Sequence, residues 1–183
     1  MNYMNSLSPR TGTYRRWVMQ VLRGLFEVAE VKWPFVKREM PRLSKPAQPY
    51  LSVEQMENLF KLARSSPLDY ALLRVDAITG ARREELSRML VEDYRRPTIK
   101  VRAAKGSIDK VRTLDIETCR AMDTYIRTRR SSSPYLFVSP YGKPLTPEAL
   151  GARFRLLARQ AGFKKGTGWH SVRRGVATWL YRA

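Results

Sequence analysis

Apolar side chains recur at helical spacing from Tyr14 to about Glu30, where Trp17, Val18, Val21, Leu22, Leu25, Phe26 and Ala29 form one wide face. A lone helix cannot bury such a face, so it requires neighbours. From Trp33 to Pro49 the prolines 34, 41, 46 and 49 stand among Lys and Arg, the pattern of an extended basic linker. A domain boundary is expected there, with one domain over 1–45 and a second over 46–183. Ser52-Val53-Glu54-Gln55 carries a capping box that predicts a helix to about Arg64. Ser66-Pro67 starts another, which stops at Thr79-Gly80. A third is predicted from about Arg82, directing Leu86, Met89 and Leu90 to the core.

Beyond these helices the period changes. Thr98 to Arg102 and Lys110 to Ile116 alternate in character around Ala103-Ala104-Lys105-Gly106-Ser107, which predicts a β-hairpin with Lys105 near its turn. A helix over about Glu117 to Thr128 follows, then a short strand at Tyr135 to Val138. Thr146-Pro147-Glu148 starts a helix to about Ala161, and the last helix begins near His170-Ser171. The fold class is mainly α with a small antiparallel β-sheet.

Charge narrows the partner. The 183 residues hold 35 Lys and Arg against 16 Asp and Glu, a formal charge of +19, which calls for a polyanion. No apolar run reaches the roughly 18 to 20 residues needed to span a bilayer, so a membrane is not the expected partner. The single cysteine, Cys119, excludes an internal disulfide and a cysteine-rich metal site, and reads as a small core residue. The N-terminal residues lack the pattern of a secretory signal. A reducing cytoplasmic, nucleoid-associated setting is expected.

Arg82 follows Thr79-Gly80 at a predicted helix start, and Arg173 with Arg174 falls in the predicted first turn of the last helix. Cations there oppose the helix dipole, a conflict that an anion would relieve. Guanidinium forks hold two phosphate oxygens each. Any one of these arginines alone is also compatible with a solvated surface charge. His170, the only histidine, stands three residues before Arg173, on the same side of a helix start. Lys105 in a hairpin turn is either solvated or carried into a groove, where an ammonium serves as a general acid. No paired carboxylates have the spacing of a two-metal nuclease, and Glu84-Glu85 and Glu92-Asp93 are expected to pair with arginines. Neither a metal nor a cofactor is expected.

Four segments, TGARREEL (Thr79 to Leu86), AAKGSIDKVRTLDI (Ala103 to Ile116), YLFVSPYGKPLT (Tyr135 to Thr146) and WHSVRRGVAT (Trp169 to Thr178), resemble the catalytic domain of tyrosine recombinases, the phage integrase family, in order and spacing. The helix from Tyr14 to Glu30 resembles the end of that family's core-binding domain. The resemblance implies that Arg82 and Arg173 neutralise the non-bridging oxygens of a scissile phosphate and that Lys105 protonates the leaving 5′-oxygen. It implies that His170 moves a proton or holds the phosphate. In the family a tyrosine attacks, forming a 3′-phosphotyrosyl link, some tens of residues after the His-x-x-Arg pair. Tyr181 is too close to Arg173 to match it, so the nucleophile is expected to be missing, with the catalytic domain incomplete at its C-terminus. Arg15, Arg16, Lys45, Arg83, Lys110, Arg112, Lys143 and Arg174 are the further residues expected to touch DNA.

Double-stranded DNA is thus the expected partner, bound by a homo-oligomer or together with full-length recombinase subunits. The leading expectation is DNA recombination or integration chemistry that this chain does not complete alone. A non-catalytic DNA-binding module or decoy at recombination sites is the alternative, and an RNA-binding basic protein a third.

Overall fold

The computed structural model describes residues 12–35, 50–103, 108–164 and 167–182. The chain divides into two compact units, 1–48 and 49–183. In the first, helix α1 (Gly12–Val28) is followed by a turn in which Glu30 has φ 55°. Phe26 meets Trp33 edge-on at 5.4 Å, and Trp33 meets Phe35 at 5.1 Å. Most of the predicted linker, 36–49, lies outside the described residues.

In the second unit the capping signals act as expected. Helix α2 (Val53–Ala63) opens with a complete capping box: the Gln55 N–H donates to Ser52 Oγ at 3.2 Å and the Ser52 N–H to Gln55 Oε1 at 2.9 Å. Helix α3 (Pro67–Thr79) starts at Ser66 and ends on Gly80, whose φ of 58° suits a residue without Cβ. Helix α4 is only Arg83–Ser87, shorter than predicted. The Leu90 N–H is taken by Asp93 Oδ2 at 2.8 Å, and this side-chain partner diverts the chain into a 3-10 turn, Val91–Asp93. Leu86 and Met89 still reach the core, whereas Leu90 is only half-buried and bridges to Tyr135.

The hairpin forms as strands β2 (Thr98–Val101) and β3 (Lys110–Thr113), antiparallel, with Thr98 opposite Thr113 and Val101 opposite Lys110. A two-residue strand β1 (Tyr94–Arg95), not predicted, pairs with β2 and completes a three-stranded sheet. Helix α5 (Ile116–Thr128) is capped by Asp115, which also receives Arg74 at 2.7 and 2.8 Å. The strand predicted at 135–138 reduces to isolated bridges, Leu90 to Tyr135 and Val138 to Pro144. Its backbone is satisfied otherwise: the buried Tyr125 hydroxyl donates to the Leu136 carbonyl and accepts from the Val138 N–H, each at 3.1 Å.

Helix α6 (Pro147–Gln160) is capped by Thr146, and helix α7 runs Trp169–Arg182. Helix α3 is the hub, packing against α2, α5 and α7, while α6 lies against α2 and α4. Leu72, Leu73, Met122, Phe137 and Phe154 are fully or almost fully buried among them, and Cys119 is buried too. Among the described residues no helix is long and apolar enough to cross a membrane.

Gly80 joins the core to what lies above it, since a Cβ there would rest 3.7 Å from Arg173 Cγ. That is ordinary contact, so the cost of Gly80→Ala is conformational. A left-handed non-glycine residue costs about 1 kcal/mol. The unfolding free energy is expected to fall by that amount, seen as a lower urea midpoint with an unchanged m-value in equilibrium denaturation.

Candidate phosphate-binding site

The end of α3, the start of α4, the hairpin and α7 enclose a cavity of about 310 Å³. Arg82, Lys110, Arg112 and Arg173 line it, with Glu85 as the acidic member. The two arginines stand 91 residues apart in sequence numbering (173 minus 82) and meet because α7 packs on α3. Lys110 and Arg112 share one face of β3 through the two-residue period of a strand.

Arg82 is held from behind. Glu85 is 6% exposed; its Oε2 accepts the Arg82 N–H at 2.7 Å and its Oε1 accepts Arg82 Nη1 at 3.0 Å. The arginine side chain is itself 53% exposed, so one side of the guanidinium is anchored and the rest faces solvent. Arg173 lays its stem over Gly80 and is exposed at its end. Helix α7 starts at Trp169, so Arg173 and Arg174 lie in its second turn, not its first as predicted. The dipole argument therefore carries little weight for them, and for Arg82 it concerns a helix of five residues.

Lys105 lies outside the described residues. Its flanks do not: Ala103 and Ile108 both line the cavity. Asp109 draws the flanks together, accepting the Ala103 N–H at 2.8 Å and Lys100 Nζ at 2.9 Å. On the other side of β2, Arg102 is fixed by Asp93 at 2.8 Å and Glu92 at 2.7 Å. Those acidic residues and Glu85 pair with arginines as expected.

His170 lines a neighbouring cavity of about 670 Å³ together with Arg83, Arg155, Arg159 and Lys164, with no acidic residue among its lining. It does not line the Arg82 and Arg173 cavity. It stands close enough to feel both, because partial desolvation first, and then the charges of Arg83, Arg174, Arg173 and Arg82, hold its imidazole below the usual range. Arg83 crosses Gly151, where a Cβ would come within 2.8 Å of its Nη1, so the small residue in α6 makes room for it.

Of the other predicted DNA contacts, Arg174 is exposed beside His170, and Lys143 is exposed in the turn before Pro144, lining neither cavity. Arg16 is exposed on α1 in the first unit. Lys45 and the Arg15 side chain lie outside the described residues. The sequence reading did not include Arg155, Arg159 or Lys164. The four-residue step from Arg155 to Arg159, which stacks two cations on one helix face, was the available signal. Among the described residues no group of His, Cys, Asp and Glu is arranged to hold a metal ion.

Residues 49–183 match the phage integrase family. Tyrosine recombinase XerC 2 of Ralstonia nicotianae is 28% identical over 185 residues, covering 93% of this chain and 51% of that protein. The chain thus spans about half the length of this relative. Among solved structures, lambda integrase (residues 75–356) bound to DNA superposes with a TM-score of 0.77 at 15% identity, covering 97% of this chain and 68% of that one. A lambda integrase tetramer bound to a Holliday junction gives 0.71 at 16%, covering 90% and 52%. At those identities the likeness establishes the fold.

His170 is the only histidine, so its ring protons titrate without overlap in a one-dimensional NMR spectrum. Its pKa in the free protein is expected below 6.5, rising toward 6.5 in Arg83→Ala. Folding favours the neutral form. Its stabilising effect is therefore fully present above about pH 6.5 and is lost as pH falls through the depressed value. A titration at or above 6.5 would contradict the crowding of positive charge around it.

Proposed function

The chain belongs to the phage integrase family, and on that premise we propose that its second unit grips a phosphodiester of double-stranded DNA in site-specific recombination or integration. The observation that carries this is the shared cavity of Arg82 and Arg173 with Lys110 and Arg112. Two guanidinium forks from separate helices suit the non-bridging oxygens of one phosphate, and their charge gains value as negative charge builds during displacement. Glu85 keeps Arg82 in place without covering its exposed side.

Lys105 fits the role of general acid for the leaving 5′-oxygen, because the residues on both sides of its segment line the same cavity. His170, whose imidazole is kept below its usual range by its surroundings, is suited to donate its ring N–H to a phosphate oxygen or to take up a proton at its other nitrogen. Arg83, Arg155, Arg159 and Lys164 extend the positive surface from the cavity to its neighbour, a path for the continuing strand. Arg174 belongs to that surface, and Arg15, Arg16, Lys45 and Lys143 are the more distant candidates.

Attack requires a hydroxyl. Among the described residues no tyrosine lines either cavity, so these residues bind and polarise the phosphate while the attacking tyrosine comes from outside them. Binding without cleavage is the behaviour proposed for the described residues alone. The first unit, in this reading, is the end of a core-binding domain. Trp17, Leu25 and Val28 of α1 are 58%, 59% and 85% exposed, an apolar face that suits further helices. Assembly with other recombinase subunits on DNA follows the same logic.

Arg173→Ala is expected to weaken duplex binding about ten- to a hundredfold, the worth of a charge-assisted hydrogen bond, and to make the salt slope shallower by about one. Arg82→Ala acts likewise, once its folding is checked, since Glu85 loses its partner. Fluorescence anisotropy across a salt series measures both, and unchanged affinity in both variants would remove the phosphate site. Incubation with nicked recombination sites should leave no denaturation-resistant protein-DNA product. An adduct mapped to Tyr181 would overturn the assignment of the nucleophile. DNA binding should raise the His170 pKa, because the phosphate offsets the arginine charges.

A further inference from the structure

Asp76 is a carboxylic acid in a place that suits leucine. It lies on α3 between the buried Val75 and Ala77, is 0% exposed, and neither of its side-chain oxygens has a partner in full hydrogen-bond geometry. A second buried polar group on the facing helix is in the same state: Trp169 Nε1, at the start of α7, also lacks a partner. A carboxyl oxygen accepts and an indole N–H only donates, so the two are complementary. They are also neighbours. Burial pushes the Asp76 carboxyl well above the usual carboxylate range, and the groups acting against that shift are the Trp169 indole N–H and then the Arg173 guanidinium.

The spacing of these residues repeats on both helices. Asp76 and Gly80 are one turn apart on α3, and Trp169 and Arg173 are one turn apart on α7. The Arg173 stem rests on Gly80, 3.7 Å from where a Cβ would stand. Facing Asp76 with Trp169 and facing Gly80 with Arg173 are therefore the same axial alignment of the two helices. Phe154 of α6 meets the Trp169 ring edge-on at 5.4 Å and supports it from another side. Arg82 has its own anchor in Glu85, whereas no ion pair is seen for Arg173 among the described residues.

We propose that Asp76 is a positioning residue for Arg173: by pairing with the Trp169 indole it sets where α7 lies along α3, and so brings Arg173 beside Arg82 at the DNA phosphate. This rests on the phosphate-gripping function proposed above. Asp76 touches no DNA in this arrangement. It acts through Trp169 and one turn of helix.

The test uses the full chain, a fluorescein-labelled DNA duplex and a double-mutant cycle. Asp76→Leu is expected to bind about tenfold more weakly, with the salt slope shallower by about one, as for Arg173→Ala. In an Arg173→Ala background the same change should cause no further loss, and Asp76→Asn, which keeps an acceptor oxygen, should restore most of the affinity. Trp169→Phe, which keeps an aromatic ring against Phe154 but lacks the N–H and part of the indole, should behave as Asp76→Leu does and decides the matter alone if the leucine variant does not fold. The Trp169 indole proton resonance, assigned from its loss in Trp169→Phe, should move in Asp76→Leu. Wild-type affinity and slope in the folded Asp76→Leu or Trp169→Phe protein, or losses that simply add to that of Arg173→Ala, would overturn the positioning role while the phosphate site stood. An Arg173→Ala protein that binds normally would instead remove the phosphate site, and this inference with it.

Discussion

Bringing like charges together requires something stronger than their repulsion to hold them. In this chain it is the packing of α7 on α3, an apolar contact that places Arg173 over Gly80 and next to Arg82. Val172, buried completely on α7, and Leu72, Leu73 and Val75 on α3 belong to the same core. The hydrophobic effect, which is indifferent to charge, holds the two helices together, and the cationic side chains are carried along. The result is a cavity whose electrostatics are unfavourable until an anion enters, which is how a preorganised binding site differs from a stable surface.

The charge is also shaped locally. Carboxylates stand behind several of the cations: Glu85 behind Arg82, Asp109 at Lys100, Asp93 and Glu92 at Arg102. Each fixes a direction for the cation it holds. In the neighbouring cavity no carboxylate does this, and partial burial first, then the surrounding arginine charges, hold the His170 imidazole below its usual range. A neutral imidazole offers one ring nitrogen as a donor and the other as an acceptor. In the proposed function, preference for a polyanion would arise twice, from the surplus of basic residues and from where the few acids sit.

Much of the fold could be read in the sequence because its punctuation is local. Ser52 with Gln55, Ser66 with Pro67 and Thr146 with Pro147 each set a helix start within one turn, and the alternation around 98–113 sets a hairpin. The misreadings occurred where a distant or side-chain partner replaced the expected ladder. Asp93 takes the Leu90 N–H and ends α4, and Tyr125 takes the backbone of 136 and 138 and leaves no strand there. A two-residue strand such as β1 has too little pattern to be seen. For the site, Arg82 and Arg173 were legible through motifs in order along the chain. Arg155 and Arg159 left only the weak signal of a four-residue step, since a basic residue on a solvated helix looks the same whether it faces a groove or water, and Lys164 in the following loop left none.

The division between gripping and cutting follows from the same geometry. A phosphate held by guanidinium groups is activated toward attack but cannot react until a nucleophile is placed in line with the leaving oxygen. The cavity is built by α3, α4, the hairpin and α7, elements fixed to one core, and such rigidity serves charge stabilisation. A nucleophile has the opposite requirement, because a tyrosine permanently beside an activated phosphodiester would cut whenever DNA bound. In the proposed function, a hydroxyl supplied from outside this rigid frame would make cleavage conditional on assembly. The second unit would then recognise and polarise a phosphate before any strand is broken.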